Sequence, residues 1–518
     1  MPGERRKKKL ILTYVDSLRT DMLRRAIDEG RAPNFGALVE RGLLIDDCVS
    51  SFPSVTPVAC AEMVTGVGAE RHWISGMNWY HRLERRYVEY GSSLEATRAF
   101  GVFRALYDLV YNMNLAHLSP EIETLFESLD DAGERTACTP YLIYRGRHRH
   151  EVSLDGLMRR AVDATKLKFR HHTWGPAELF YGDLYASREV PCRSTSIPGV
   201  RDPYAACCAV ELMKEDGFDF LLLSLPDNDN YSHRHGPDES VESIARADEC
   251  FGTLIEQAGG IDPFLAEHAV ILVADHAHTA VERGLPLAEI LGAQWRVLQP
   301  SEERPELAQL AVSPTSRAAH VYLLPGEGER ADPAAVGERL TEIEGIDLVC
   351  RLLDAEGAPL YRPEPGMPAA GDEWARVERR GEQLRFRPGT DVADLRGGRW
   401  EIEGELSVLE ARIEDGKLRS DTYPDPLQRL WSALTAPHSG DWVLSLAEGF
   451  EAVDWGGESH AGGGSHGALH AGDSLGPLLF VGCGPESADE REQWSLRDVT
   501  PAILEHFGLS RPNAPGGE

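Results

Sequence analysis

Carboxylate, hydroxyl and imidazole side chains gather in this chain where apolar runs stop, and such groups can bind divalent metal ions or attack an electrophile. The sharpest instance is AVILVADHAHTAVE (269–282), whose apolar run stops at Ala274 and delivers Asp275 and His276. Neighbours on a strand face opposite ways, so this pair can converge on one ion only if the strand has ended there. A buried strand tipped with Asp-His has few structural uses, and the functional reading leads. In LLLSLPDNDNYSHRHGPDES (221–240), Asp229 and His233 follow another apolar run in a turn-rich context. Carboxylate plus imidazole suits Zn2+ or Mn2+, although loop residues of these types are also common at solvated turns.

Other positions are more ambiguous alone. In SFPSVTPVACAEMVTG (51–66), Pro57 suits the first position of a helix, which puts Thr56 at the N-cap. A hydroxyl there sits at the positive end of a helix beside free N–H groups that can hold a phosphate; taken alone, a plain cap explains it better. Asp16, directly after the apolar start of TYVDSLRTDML (13–23), reads first as a cap as well. Late in the chain, GGGSHGALHAGDSLGPLLFVG (462–482) sets His466 among glycines before an apolar run, with His460 and His470 competing for any role.

The elements that must position these groups follow from periodicity. Short apolar runs at 9–15, 137–144, 218–225, 269–274, 319–324 and 477–482 read as buried strands, and continuous apolar runs suit a parallel sheet covered on both faces. Helical patterns lie between them at 18–29, 33–42, 57–65, 120–132, 203–215, 239–258, 334–343 and 498–507. In the segment 239–258, Val241, Ile244, Ala245, Ala247, Phe251, Leu254 and Ile255 share one stripe. The alternation predicts an α/β fold with a mostly parallel central sheet flanked by helices, where ligands bind beyond the carboxyl ends of the strands. Residues 79–119 break the pattern as a helical side region, and 366–440 as a small β-containing insertion. The expected organisation is a catalytic core over 1–365, the insertion over 366–440, and a return to the core over 441–518.

A formal charge of −31 disfavours a partner such as a nucleic acid polymer, since no basic excess is available to neutralise phosphates. It leaves room for a small anionic substrate, because bound metal ions reverse the local field. The nine cysteines are scattered without a repeated spacing, which predicts a reduced, cytoplasmic protein. The basic start carries too short an apolar stretch for a signal peptide, and no apolar run approaches a membrane span.

Taken in order, these segments resemble the alkaline phosphatase superfamily, and most closely its type I phosphodiesterase and nucleotide pyrophosphatase branch. Asp16-Ser-Leu-Arg19 is similar to its Asp-x-x-Arg motif, and Pro33-Asn-Phe with Leu38 and Gly42 to its first helix. Thr56 stands ahead of Thr65-Gly66 at the spacing of the family nucleophile, and Asn78 resembles its phosphate-contacting Asn. Asp229, His233, Gly236 and Pro237 match Asp-x-x-x-His-x-x-Gly-Pro, with Asp227 lying too early. Asp275-His276 matches the strand-end pair, and His466-Gly467 matches Gly-x-His-Gly, which ranks His466 above His460 and His470. The stretch 495–504 looks like the closing helix. The sulfatase motif Cys-x-Pro-x-Arg is missing, and a Thr replaces the Ser of the monoesterases.

The resemblance implies two divalent ions, Zn2+ first and Mn2+ second. One would be held by Asp229, His233 and His466, the other by Asp16, Asp275, His276 and the Thr56 oxygen. It implies hydrolysis of small phosphorylated substrates through a phospho-threonine, with Asn78 and the Thr56 N–H on the non-bridging oxygens. No arginine stands out for a dianionic monoester, which favours phosphodiesters or nucleotide pyrophosphates. A phosphonate hydrolase, phosphomonoesterase or phosphotransferase on the same site, and a non-catalytic metal-binding protein, are the alternatives.

Overall fold

The computed structural model describes residues 7–151, 172–181, 185–193, 201–302, 304–326, 330–360 and 372–510. Residues 5 and 6 of the basic start and 366–371 of the expected insertion lie outside these. At the centre is an eight-stranded sheet in the order Leu43–Val49, Leu475–Val481, His268–Val273, Lys9–Val15, Phe220–Leu225, Thr136–Cys138, Glu178–Tyr181 and Tyr185–Ala186. From His268–Val273 to Glu178–Tyr181 all pairings are parallel. Leu475–Val481 runs antiparallel to both its neighbours. This is the mixed α/β architecture expected, with helices on both faces.

Side-chain alternation along Lys9–Val15 explains the layering. Leu10, Leu12 and Tyr14 pack under the helices Thr56–Thr65, Leu125–Asp131 and Val499–His506. Ile11 and Val15 face the other way, onto Thr20–Asp28, Pro33–Val39, Asp202–Lys214 and Val241–Gln257. The whole apolar stripe expected along 239–258 is buried. Each such Leu, Ile or Phe contributes on the order of 2 kcal/mol of transfer free energy. The register pairs Val15 with Leu225 and Tyr14 with Val273, so three central strands end within one residue of one another and Asp16, Pro226 and Asp275 follow side by side.

The run expected at 319–324 forms Ala318–Leu323, but in a second, nine-stranded sheet that is nearly all antiparallel. Period-two alternation specifies a strand, not which sheet it joins. That sheet also takes Trp374–Arg379, which pairs with Ile346–Leu353, itself paired with Trp442–Leu446. The β-rich part of 366–440 thereby joins the sheet through Ile346–Leu353, the strand that also pairs with Trp442–Leu446. Of 79–119, Asn78–His81 and Arg86–Glu89 form a hairpin, followed by short helices and the π-helix Asp108–His117.

The reduced state expected for all the cysteines is contradicted by a Cys192–Cys207 disulfide, Cα–Cα 5.7 Å. Packing of the segment around Cys192 against the helix Asp202–Lys214 brings them together, which spacing could not reveal. With it, cysteine usage no longer argues for a cytoplasmic location. No helix among the described residues is long and apolar enough to cross a membrane.

Candidate active site

The level strand ends bring the candidate residues to one edge of the central sheet. Asp16 does not cap a helix. The next helix begins at Thr20 with Arg19 as its N-cap, while Asp16 is buried and its N–H bonds to Leu225 O at 3.1 Å. Asp229 and His233 lie on the helix Asp227–His235 rather than in a loop. Four residues apart, they face the same way, as a shared ligand role requires. The strand before Asp275 ends at Val273, so Asp275 and His276 leave it in irregular backbone and point to one place.

Thr56 is the first residue of its helix and Val55 the N-cap, one position from the expectation. No side chain caps this helix. The Thr56 hydroxyl instead stands 3.3 Å from His276 Nε2. The loop before it is zipped to the His466 loop: Ser54 Oγ donates to Ala468 O at 2.9 Å, and Gly467 N donates to Ser54 Oγ at 3.1 Å. Gly467 has φ +119, and a Cβ there would sit 2.9 Å from the backbone N of Arg317, so only glycine fits this crossing.

Two groups of donor atoms result. Asp229, His233, His278 and His466 form one, Asp16, Asp275 and His276 the other, and within each group the candidate ligand atoms lie within 4.8 Å of one another. The groups are adjacent, for the His276 and His466 rings stack with centroids 3.7 Å apart. His233 Nδ1 donates to Gly464 O and His466 Nδ1 to Ser54 O, both at 2.8 Å. Each Nε2 lone pair is thereby directed inward, the arrangement that orients metal-binding histidines. His276 Nδ1 lies 3.3 Å from Ala277 O. Asn78 opens its strand, buried, with its amide donating to Glu89 at 3.0 Å and its Oδ1 without a hydrogen-bond partner. It is in neither group.

His278 is the residue that sequence reasoning missed. Its Nε2 is 2.9 Å from Asp229 Oδ1. Its signal was a second imidazole two residues after His276, in the same short stretch between two strands. Ser17 was also missed: its Oγ donates to Asp229 Oδ1 at 2.7 Å, and its N–H to Asp275 Oδ1 at 3.1 Å.

Electrostatics agree with the geometry. Burial pushes the imidazoles of His233, His276 and His466 down to about 4, which leaves them neutral and free to bind a cation near pH 7. Burial, then Asp275 and Asp229, raises Asp16 well above the carboxylate range. Burial also lifts Asp275 to about 6, helped by Asp229 and opposed by the Ser17 N–H. Asp229, which burial alone would raise, is held low by His233, His278 and His466. Among the described residues no Lys or Arg pairs with these three carboxylates; Arg19 engages Asp21 and Asp238 instead. Crowded carboxylates without a cationic partner, beside neutral imidazoles, are a donor set that divalent ions fit.

The fold is that of the alkaline phosphatase-like α/β proteins. A phosphonoacetate hydrolase from Sinorhizobium meliloti 1021, solved with phosphonoformate, shares the fold at a TM-score of 0.52, with 17% identity over 96% of both chains. Murine ectonucleotide pyrophosphatase/phosphodiesterase 5 does so at 0.55, with 14% identity over 98% of both. The human counterpart matches at 0.55 and 13%, over 98% of this chain and 97% of its own. No curated protein sequence matches at a significant level. A model of the type I phosphodiesterase/nucleotide pyrophosphatase family matches residues 10–369, and the chain belongs to that family. By class it is a phosphoester hydrolase, and the family is metal-dependent.

Proposed function

We propose that this protein hydrolyses phosphodiesters or nucleotide pyrophosphates through a phosphorylated Thr56. The observation that carries the proposal is the Thr56 hydroxyl, free of any capping bond and 3.3 Å from His276 Nε2, beside two converged ligand groups. Asp229, His233 and His466, with His278 adjoining, would hold one divalent ion; Asp16, Asp275, His276 and the Thr56 oxygen would hold the other. Zn2+ suits this N/O donor set best, with Mn2+ next. When bound, such ions supply Lewis acidity that favours an ionised hydroxyl and offsets phosphate charge.

Thr56 Oγ1, its proton lost to solvent, attacks phosphorus, forming a Thr–O–P bond as the ester oxygen departs with the bonding pair and takes up a proton. Water then attacks the phosphorus, the Thr–O–P bond breaks with a water proton returning to the Thr56 oxygen, and a phosphomonoester is released. The Thr56 N–H, in the first helical turn, has no intrahelical acceptor and can donate to a non-bridging oxygen. Asn78 carries two amide hydrogens; Glu89 takes one at 3.0 Å and the other can serve the phosphoryl group. Arg19 is engaged by Asp21 and Asp238, and among the described residues no Lys or Arg pairs with Asp16, Asp229 or Asp275, which favours a diester over a dianionic monoester.

The test is turnover of chromogenic diester, monoester and phosphonoacetate substrates by wild type and Thr56→Ala, with bound metal quantified. The expected result is diester cleavage that falls on the order of 10^3-fold or more in the variant, since the nucleophile is lost. Activity surviving Thr56→Ala overturns the nucleophile assignment. Preferential cleavage of phosphonoacetate would move the substrate class to phosphonates.

A further inference from the structure

We infer that Ser17 is a positioning residue that couples the two ligand groups and raises the affinity of the Asp229 group for its ion. This rests on the metal-dependent reading above.

Ser17 follows Asp16 in left-handed backbone, φ 59. Glycine occupies that conformation without a Cβ penalty, whereas serine is strained there. Strain of this kind persists where surrounding structure imposes it, and it clusters at functional sites. The side chain explains why a serine is present. Ser17 is 3% exposed, enclosed between the two groups. Its hydroxyl has one proton, and the shortest contact, 2.7 Å to Asp229 Oδ1, takes it. The oxygen also lies 3.4 Å from His276 Nδ1, while Ala277 O lies 3.3 Å from the same nitrogen. Both are acceptors for one Nδ1–H, which leaves the His276 Nε2 lone pair facing Thr56. Asp16 Oδ1 is 3.3 Å from the hydroxyl, and the Ser17 N–H donates to Asp275 Oδ1 at 3.1 Å. One residue therefore touches Asp16, Asp275 and His276 in one group and Asp229 in the other.

Asp229 is the one carboxylate of its group. It sits near the start of a short polar helix, and its Oδ1 is held by Ser17 and His278 Nε2 at 2.7 and 2.9 Å. Without the serine hydroxyl, that carboxylate keeps a single orienting partner and loses rotational definition. Losses of such outer partners typically reduce metal affinity by about 10–100-fold.

The backbone strain makes the test clean, because Ser17→Gly removes the hydroxyl while relieving φ. Zinc affinity would be measured by chelator competition on metal-free wild type, Ser17→Gly and Ser17→Ala, alongside the melting temperature of each metal-free protein. Expected are a melting temperature for Ser17→Gly equal to or above wild type, and roughly tenfold or greater weakening of one zinc site in both variants. Wild-type affinity in both variants overturns the inference. A wild type that takes up zinc but cleaves no ester overturns the proposed function and leaves this inference standing. A wild type that takes up no divalent ion overturns both.

Discussion

Arg317 stands at the turn between Leu310–Thr315 and Ala318–Leu323, with its guanidinium fully enclosed. Nη1 pairs with Asp473 and contacts Thr279, Nε donates to Phe450 O at 3.1 Å, and Nη2 donates to Ala447 O at 3.0 Å. Asp473 in turn accepts from Ala468 N at 2.8 Å, and its backbone carbonyl accepts from Ala277 N at 2.9 Å. The Arg317 N–H donates to His466 O at 2.7 Å. This buried pair thus braces the chain after His276 against the chain around His466. Arg317→Met leaves the Asp473 carboxylate buried without its cation, which costs about 3–5 kcal/mol. Two carbonyls also lose their donor, at roughly 1 kcal/mol each. A loss of about 5–7 kcal/mol would remove much of a typical domain's margin of about 5–15 kcal/mol. Arg317→Met with Asp473→Asn removes the stranded charge and should recover about 2–3 kcal/mol of that loss. Urea unfolding of the metal-free proteins, followed by tryptophan fluorescence and far-UV circular dichroism, measures both values. A single variant costing under about 1 kcal/mol, or strict additivity in the pair, would refute the brace.

Two further expectations concern residues away from the ligand groups. His320 is enclosed with Nε2 donating to Ser75 O at 3.0 Å and Nδ1 accepting from Gly440 N at 3.2 Å, and burial lowers its pKa to about 4. Its folded pKa lies below the unfolded value of about 6.5, so between those values the unfolded chain binds a proton that the fold refuses. Stability should fall by about 3 kcal/mol as pH drops through that window, and His320→Gln should flatten that slope; an unchanged profile in the variant counts against the assignment. The Cys192–Cys207 disulfide closes a separation of 15 residues. Its reduction should cost about 3 kcal/mol in the loop-entropy account, read as a lower denaturation midpoint, and peptide mapping that finds both thiols free would contradict it.

Much of the site was legible because metal-type ligands follow the ends of apolar runs, and apolar runs mark buried strands. Asp275 and His276 were singled out that way, Asp16 read first as a cap and entered through the family resemblance, and the core stripe of 239–258 followed from helical spacing. The helix Asp227–His235 was not legible, since DNDNYSHRH has no apolar period. Tertiary contacts hold it: Asn228 donates to Asp16 O at 2.8 Å, and His233 to Gly464 O at 2.8 Å. The disulfide, the sheet to which Ala318–Leu323 belongs, and the Arg317–Asp473 pair join segments whose sequence neighbours say nothing of one another.

By itself the chain determined the alternation of strands and helices, the positions where chemistry-bearing residues leave the strands, and a threonine at a helix start. Those are local properties, written in periods of two and 3.6 residues and in where an apolar run stops. Only the tertiary structure decided that His278 and Ser17 join the site, and that the Thr56 hydroxyl faces an imidazole rather than its own helix. The reason is that convergence depends on which distant strands pair and in what register, and one level register brings Asp16, Asp229 and Asp275 together across the chain.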